Sequence, residues 1–522
     1  MQTASRSREK NPMIFFIAAV FLLVILRSAW MSEDAYITLR SVDNFVHGYG
    51  LVWNIGERVQ TYTDPLWMFM LSVVYFVTRE SFYTTLWLSI ALSLGAFVLI
   101  GRLIKKHNLA TLSVLGILIF SKAFVDYSTS GLENPVTHLL LALFLIVFLL
   151  EPDETPLDSR RIFIVSLIAG LSAFNRMDTL LFFIPALILI IIKRPKRDTL
   201  KWMTIGFLPF ILWEVFSIIY YGFPFPNTAY AKLNTGLSRP DLFEAGYLYL
   251  INSLHWDPIT LLTVSVGIGL AIFNGTLPER SVATGVLLYI LYIIWIGGDY
   301  MSGRFLSGAV LIAVGLLIRY LAHLETAESI FLLAMIIIFG FISPTPTLTS
   351  IDNASYSTGR MNSNNTIRDE RSFFFQPAGL LYDKPNTIEP FHEWVLRGLE
   401  FRNSQKKVYI FGGIGFIGYF GGTQLHIIDP LGLGDALIAR IQPGKHWMAG
   451  HNTRAIPAGY EETVRTGENH IQDADLAQYY DQLSLIIRGN LWSLERWAAI
   501  WKMNTGQYDY LLNRYNQKQN TP

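Results

Sequence analysis

Two adjacent carboxylates, Glu33 and Asp34, stand at the C-terminal end of the first long apolar run. A carboxylate so placed can take a proton from a hydroxyl. Arg40 lies six residues on, and His47 and Arg58 follow. An acid that works on an alcohol, beside cations that hold a phosphate, is the pairing that group transfer from a phospholipid requires. The plainer alternative is a pair of hydrated acids at a helix end. Lys232 and Arg304 extend the set. Arg binds two phosphate oxygens with its planar fork and Lys acts as a point charge, although either can also be an interface residue with a snorkelling stem. Glu133 and Asp299 can position an acceptor or a metal, or cap helix N-termini from their short Gly-containing turns. Arg176 and Asp178 can hold substrate or simply pair with one another. A carboxylate-bound Mg²⁺ or Mn²⁺ at Asp34 is open, whereas HExxH and cysteine clusters, the strong zinc signatures, are absent from the sequence.

These residues must be held by something, and composition says what. The chain has 522 residues, 41 basic and 40 acidic side chains and no cysteine; 52% are hydrophobic and only 16% charged. Mean hydropathy is +0.35. A soluble chain cannot hide so much apolar surface, and a disordered or disulfide-stapled protein has a different composition. The near-zero net charge offers no footprint for nucleic acid. A polytopic α-helical membrane protein remains.

The apolar excess ends near residue 343. Candidate spans are 13–31, 84–101, 109–125, 135–150, 161–175, 179–193, 202–221, 258–274, 282–296, 305–322 and 328–343, eleven in all. The first run follows Arg6, Arg8 and Lys10; it is too long for a signal-peptide core and no small-x-small cleavage site follows, so it reads as an uncleaved helix with a cytoplasmic N-terminus. With eleven spans, the basic joints at Arg102–Lys106, Arg160–Arg161, Lys193–Lys201, Arg280 and Arg319 all fall in the cytoplasm. The segment 65–77 reaches only roughly 20 Å as a helix and reads as an interfacial or re-entrant element. Twelve spans, the alternative, would turn the later basic joints outward. The outer joints then carry every candidate site residue of the opening set: 32–64, 126–135, 174–178, 220–234 and 295–305. Ionisable groups at a bundle end mark a site.

The chain divides into a membrane part, 1–343, with a first outer loop at 32–83, and a soluble outer domain, 344–522. That domain reads as mixed α/β: strands near 408–411 and 424–428, and an amphipathic helical region from Leu476 through Ile500 in which Trp492 and Trp497 are core or membrane-surface anchors. Gly413, Gly415 and Gly418 form a GxGxxG after a strand. Lacking a clear acid about 20 residues on, it reads as a packing turn and not a dinucleotide site. The Gly-rich loop 430–435, His446, His451 and Arg454 can serve an acceptor, or the loop is structural. The stretch 351–372 is a loose Asn/Ser-rich loop.

EDAYITLR and HGYGLVWNIGERVQTYTDPLW resemble the first outer loop of bacterial GT-C glycosyltransferases, and among them the AftB-like arabinofuranosyltransferases of mycobacterial cell-wall arabinan synthesis. SGLENP (130–135), NRMD (175–178), PFPNTAYAK (224–232), GGDYMSGRFL (297–306), HIIDPLGLGDALIAR (426–440) and GHNTRAIPAGY (450–460) match in order, so the resemblance covers almost the whole chain. It implies a GT-C fold, a polyprenyl-phosphate sugar donor (decaprenyl- or undecaprenyl-phospho-arabinose) and a catalytic acid in the first outer loop. The family's acid pair maps onto Glu33 and Asp34; the family often has Asp-Asp, which favours Asp34 as the base with Glu33 in support. Asp64 stands where relatives carry Asn, a change that bears on acceptor or metal contacts. Arg176-Met177-Asp178 keeps both charges of the family's Arg-Pro-Asp.

The expected activity is transfer of a sugar, arabinofuranose, by a multi-pass protein of a bacterial inner membrane whose site and C-terminal domain face the periplasm. Arg40, Arg58, Lys232 and Arg304 would hold the donor phosphate, while His47, Asp64, Glu133, Arg176, Asp178 and Asp299 would position the acceptor, a cell-envelope glycan or a pilin-type protein. A lipid-linked sugar flippase would place such charges near the bilayer midplane in repeated halves, and no repeated half is visible. A catalytically inert GT-C-fold assembly protein is the third alternative.

Overall fold

A computed structural model describes residues 12–150, 158–350, 367–382, 390–444 and 450–520. Arg6, Arg8, Lys10, His446 and most of the 351–372 stretch lie outside the described residues. Four helices are long and apolar enough to cross a membrane: Phe82–Gly101, Arg197–Tyr220, Leu277–Ile296 and Leu306–His323. A fifth candidate is a pair, Arg239–Trp256 and Pro258–Asn274, bent by 114° where Asp257 precedes Pro258. Their outward faces are apolar. Arg197–Tyr220 exposes Leu200, Leu208, Leu212 and Val215, and Thr326–Ile342 exposes Phe331, Ile338 and Ile342. Such faces are stable in lipid, where helices satisfy their own backbone polar groups. The chain is a multi-pass helical membrane protein.

Each of the eleven apolar runs falls on helix. Two are broken: 109–125 at Ser121, whose hydroxyl accepts from Phe124 N, and 179–193 by a 3₁₀ turn, Met177–Phe182, before the Ile184–Lys193 helix. The first half of the bent pair, Arg239–Trp256, was not among the expected apolar elements. Its apolar residues are interleaved with Asp241, Glu244, Asn252 and His255. Pro65–Thr78 buries Trp67, Met68, Leu71 and Tyr75 while Val73, Phe76 and Val77 stay exposed, which suits an element lying along an interface.

The basic joints meet at one end of the bundle. Asn108 Nδ2 donates to Ala322 O, Arg319 to Glu279 (2.5 Å) and Leu149 O, Arg161 to Val147 O and Phe148 O, and Arg194 to Ser159. The joints carrying the candidate site residues gather at the other end. There the indole of Trp30 donates to Asp126 O, that of Trp67 to Gly131 O, and Arg176 and Arg304 both reach Glu133.

The C-terminal part is seated on this second end and does not stand apart from residue 344 onward. Phe374, Phe375, Ala378, Val395 and Phe416 belong to the same apolar core as the bundle helices. Ile37, Trp53 and Ala231 pack with Phe401, Ile417 and Ile427, and Val59 and Phe223 pack with Leu476, Leu483 and Ile500. Among the described residues it holds one two-stranded parallel sheet, Val408–Ile410 with His426–Ile428 (Val408 opposite His426), joined through the helix Ile414–Phe420. The remaining regular elements there are helices. The amphipathic region splits into Ala474–Arg488 and Leu494–Asn504, because Gly489 ends the first and Ser493 caps the second by accepting from Arg496 N.

Candidate active site

Glu33 and Asp34 precede the helix Ala35–Val46 and point different ways. Glu33 is buried, and its Oε1 accepts from Gly415 N (2.5 Å) and Phe416 N (3.1 Å) at the start of the Ile414–Phe420 helix. Burial and the neighbouring Asp34 charge push Glu33 up to about 8, against the opposing pull of those two N–H groups. The GxGxxG is thereby accounted for. A Cβ on Gly415 would lie 2.0 Å from Glu33 O, and one on Gly418 2.7 Å from the Trp53 ring. The glycines let a helix press onto the 32–64 loop, and the carboxyl at its N-terminus is the protein's own.

Asp34 is half-buried and accepts a 2.8 Å hydrogen bond at Oδ2 from the Tyr300 hydroxyl. Tyr300 sits in the loop between Leu277–Ile296 and Leu306–Tyr320. That loop turns at Gly298 (φ +75°), where a Cβ would meet Tyr249 Cβ at 2.6 Å. The Tyr300 ring meets the His451 ring edge-on at 4.2 Å. A C-terminal segment braces the loop: Arg368 N donates to Tyr300 O (2.7 Å) and Ser302 N to Arg368 O (2.8 Å).

Beside this lies a buried charge network. Arg176 pairs with Glu133 (2.6 Å) and Asp178 (2.8 Å); Arg304 pairs with Glu133 (3.1 Å) and lies 3.6 Å from Asp299. Burial alone would raise Glu133, but Arg304 and Arg176 outweigh it and hold the carboxyl at about 2. Burial would likewise lower Arg304, and Glu133 and Asp299 more than reverse this, with Asp34 contributing in the same direction. Asp64 accepts from Thr38 Oγ1 (3.2 Å) and is pushed well up by burial and by Glu133. Five expected residues, Glu133, Arg176, Asp178, Asp299 and Arg304, therefore form one network beside Asp34, with Asp64 at its edge. Arg176 and Asp178 do pair, but within a larger assembly.

Lys232 closes the Asn227–Leu233 helix and lies against Gly450, next in the chain to His451. It lines a cavity of about 380 Å³ with Asn234, Thr235, Arg239, Leu242 and Trp295. The Arg239 guanidinium covers the Trp295 ring at 4.3 Å. Trp295, Leu233 and the adjacent Phe243 are exposed, so the cavity opens beside apolar surface.

Three expected residues lie elsewhere. Arg40 is buried and donates to Trp53 O (2.8 Å), Gly418 O (2.7 Å) and Leu425 O, with its guanidinium 4.3 Å from the Trp53 ring centroid. Burial lowers it to about 9. Arg58 donates to Ile486 O (3.2 Å) and Gly489 O. Both fasten the first loop to the C-terminal part instead of facing Asp34. His47, at the far end of Ala35–Val46, is exposed and pairs with Asp43 (3.0 Å). Arg454 is likewise a clamp, donating to the carbonyls of Leu431, Ile441, Asn452, Ala231 and Asn234. Asp429 accepts from Leu431 N, Leu433 N and Gly434 N, so the Gly-rich loop is structural.

Among the described residues no group of three or more His, Asp or Glu side chains is arranged to hold a metal ion. Asp34, the residue expected to bind a Mg²⁺ or Mn²⁺ ion, accepts from Tyr300 at Oδ2; Mg²⁺ commonly takes one or two carboxylates and completes its shell with water and phosphate oxygens.

Tyr300, Arg368 and Glu370 escaped the sequence reading, as did Lys122, which bonds Asp126 and Asp369 (3.1 Å), and Arg371, which bonds Asp126 (2.9 Å). Lys122 could have been found as a lone cation inside the apolar run 109–125. Nothing in the RDER string at 368–371 pointed inward.

The fold and site thus define a multi-pass membrane protein that gathers a half-buried carboxylate, a buried charge network and a cation-lined cavity at one bundle end. Against known proteins, no family model matches. The chain is 30% identical over 323 residues to the terminal β-(1→2)-arabinofuranosyltransferase of Mycobacterium tuberculosis, covering 53% of this chain and 50% of that protein. It is 27% identical over 316 residues to the enzyme of the same name from Corynebacterium glutamicum, covering 53% and 46%. The chain spans about half the length of these curated relatives. Among solved structures, that of ArnT from Cupriavidus metallidurans bound to undecaprenyl phosphate aligns with a TM-score of 0.48 at 11% identity, over 82% of this chain and 76% of that one.

Proposed function

We propose that this protein is a polyprenyl-phosphate-dependent membrane glycosyltransferase, moving arabinofuranose from decaprenyl- or undecaprenyl-phospho-arabinose to a hydroxyl of an extracytoplasmic glycan or protein. The activity for which the two relatives are named supports the sugar and a 2-hydroxyl as its target. The gathering of all five basic joints at the bundle end opposite Asp34 supports eleven spans and a periplasmic site in a bacterial inner membrane.

The observation that carries the reading is Asp34 itself: half-buried, oriented by Tyr300 at Oδ2, with Oδ1 making no hydrogen bond among the described residues and so left for a substrate proton. The acceptor hydroxyl attacks the anomeric carbon as its proton passes to Asp34 Oδ1. The bond from that carbon to the phosphate oxygen breaks, and polyprenyl phosphate leaves with the electron pair. Lys232 and Arg239 are the cations suited to that charge. Neither has an ion pair among the described residues, and both line the cavity beside apolar surface, through which a lipid can enter. Arg304 is already balanced by Glu133 and Asp299 and serves to place the network. Holding both substrates in line and neutralising the leaving phosphate supply the remainder of the rate. The test is Asp34→Asn in membranes given radiolabelled polyprenyl-phospho-arabinose. A loss of about 10²–10⁴-fold is expected of a general base; unchanged transfer would overturn the assignment.

A further inference from the structure

In the segment Arg368–Arg371, two alternate side chains are tied down and one is not. Asp369 pairs with Lys122 and Arg371 with Asp126. The backbone of Arg368 is bonded on both sides to the Tyr300–Ser302 loop that holds Asp34. Glu370, at 6% exposure, makes no ion pair or side-chain hydrogen bond among the described residues. The charges it feels are those of Asp34, Arg368, Glu33 and Asp299, which places it on the Asp34 side of the segment. Nearby buried atoms are also without hydrogen-bond partners among the described residues: Asp299 Oδ2, Arg304 Nε and Arg368 Nε. Buried polar groups in native proteins are satisfied, by the protein, by water or by a ligand. Three such groups near a buried carboxylate that has no protein partner among the described residues point to a polar ligand, and hydroxyls suit a mixed set of carboxylate oxygens and guanidinium N–H groups.

We propose that Glu370 binds a hydroxyl of the acceptor sugar, beside the one that Asp34 deprotonates. The inference rests on the glycosyltransferase reading above. It assigns Glu370 to the acceptor because Glu370 lies with the acids Asp34 and Asp299 and with one cation, Arg368, a setting poor for a phosphate, while the cations suited to the donor, Lys232 and Arg239, line a separate cavity. A neutral polyol meets no such repulsion and can both donate to and accept from a carboxyl.

The experiment uses the full-length protein in liposomes with radiolabelled polyprenyl-phospho-arabinose. A synthetic arabinofuranosyl disaccharide with a free 2-hydroxyl is the acceptor probe. Two products are followed: transfer to the disaccharide, and free arabinose from donor hydrolysis, which needs no acceptor. Glu370→Ala is expected to raise the acceptor KM about tenfold, as loss of a buried hydrogen bond does, with donor KM and hydrolysis unchanged. Glu370→Gln, which keeps an acceptor and a donor, should stay within about threefold of wild type. Glu370→Leu, which fills the volume without hydrogen bonding, should behave as Ala does and guards against a folding defect in either variant. An unchanged acceptor KM in both Ala and Leu variants, or a rise in donor KM instead, overturns the proposal. A wild-type protein that neither transfers nor hydrolyses would instead sink the glycosyltransferase reading.

Discussion

Glu33 Oε1 accepts the backbone N–H of Gly415 at 2.5 Å across 382 residues of chain. This bond fastens the C-terminal part to the 32–64 loop one residue from Asp34. The contact leaves no room for a side chain, since a Cβ on Gly415 would sit 2.0 Å from Glu33 O. Gly415→Ala must therefore push the Ile414–Phe420 helix away, at a cost of about 1–3 kcal/mol or more, and should lower thermal stability by several degrees and impair transfer. Gly116→Ala is the control, because nothing lies within 4 Å of its Cβ position; alanine in that helix should be neutral or stabilising by up to about 1 kcal/mol.

The same carboxyl gives a pH signature. Burial and the adjacent Asp34 raise Glu33 from 4.5 to about 8 in the folded state. A raised acid binds more protons folded than unfolded, so its contribution is fully present below pH 4.5 and is lost as pH rises through about 8. Between those limits stability falls by up to about 1.4 kcal/mol per pH unit from this group. Glu33→Gln should flatten that slope in denaturation measured from pH 5 to 8. An equal slope in both proteins would remove Glu33 as its source.

Much of this was legible in the sequence. Apolar runs of known length forecast the helices, because a bilayer fixes how long an element must be. The basic joints forecast which loops share an end and so which acids and bases gather at the other, but of the Glu133–Arg176–Asp178–Arg304 network only the Arg176–Asp178 pair was foreseen; Arg304 was expected on the donor phosphate. Arg40 and Arg58 show where such reading stops. A guanidinium offers the same donors to a phosphate as to three carbonyls, and only the fold decides that Arg40 meets Trp53, Gly418 and Leu425. Glu370 was illegible for the converse reason: its chain neighbours Asp369 and Arg371 are held by Lys122 and Asp126, which lie more than 200 residues earlier.

Glu133 is the hinge of the buried network, since it holds both Arg176 and Arg304. Those cations depress it from 4.5 to about 2 despite burial. Its stabilisation is present above pH 4.5 and is lost as pH falls through about 2. Glu133→Gln leaves two buried guanidiniums with Asp178 and Asp299 alone, a loss of about 3–5 kcal/mol by comparison with other broken buried pairs. The variant should unfold at markedly lower temperature at pH 7, and the difference from wild type should shrink on acidification.

Arg40 and Lys232 separate support from substrate binding. Arg40→Ala strands three buried carbonyls, each costing about 1–3 kcal/mol, so the expected result is a large loss of stability with donor KM unchanged in the folded fraction. Lys232 is held by no ion pair among the described residues and lines the cavity with Arg239 and Trp295. Lys232→Ala should leave thermal stability within about 0.5 kcal/mol, as surface substitutions do, and raise donor KM about tenfold or more through loss of a charge-assisted phosphate contact. Steady-state transfer assays at varied polyprenyl-phospho-arabinose, run beside thermal unfolding of both variants, read the two effects separately. A raised donor KM in Arg40→Ala with an unchanged one in Lys232→Ala would reverse the assignment and return the phosphate to the first outer loop.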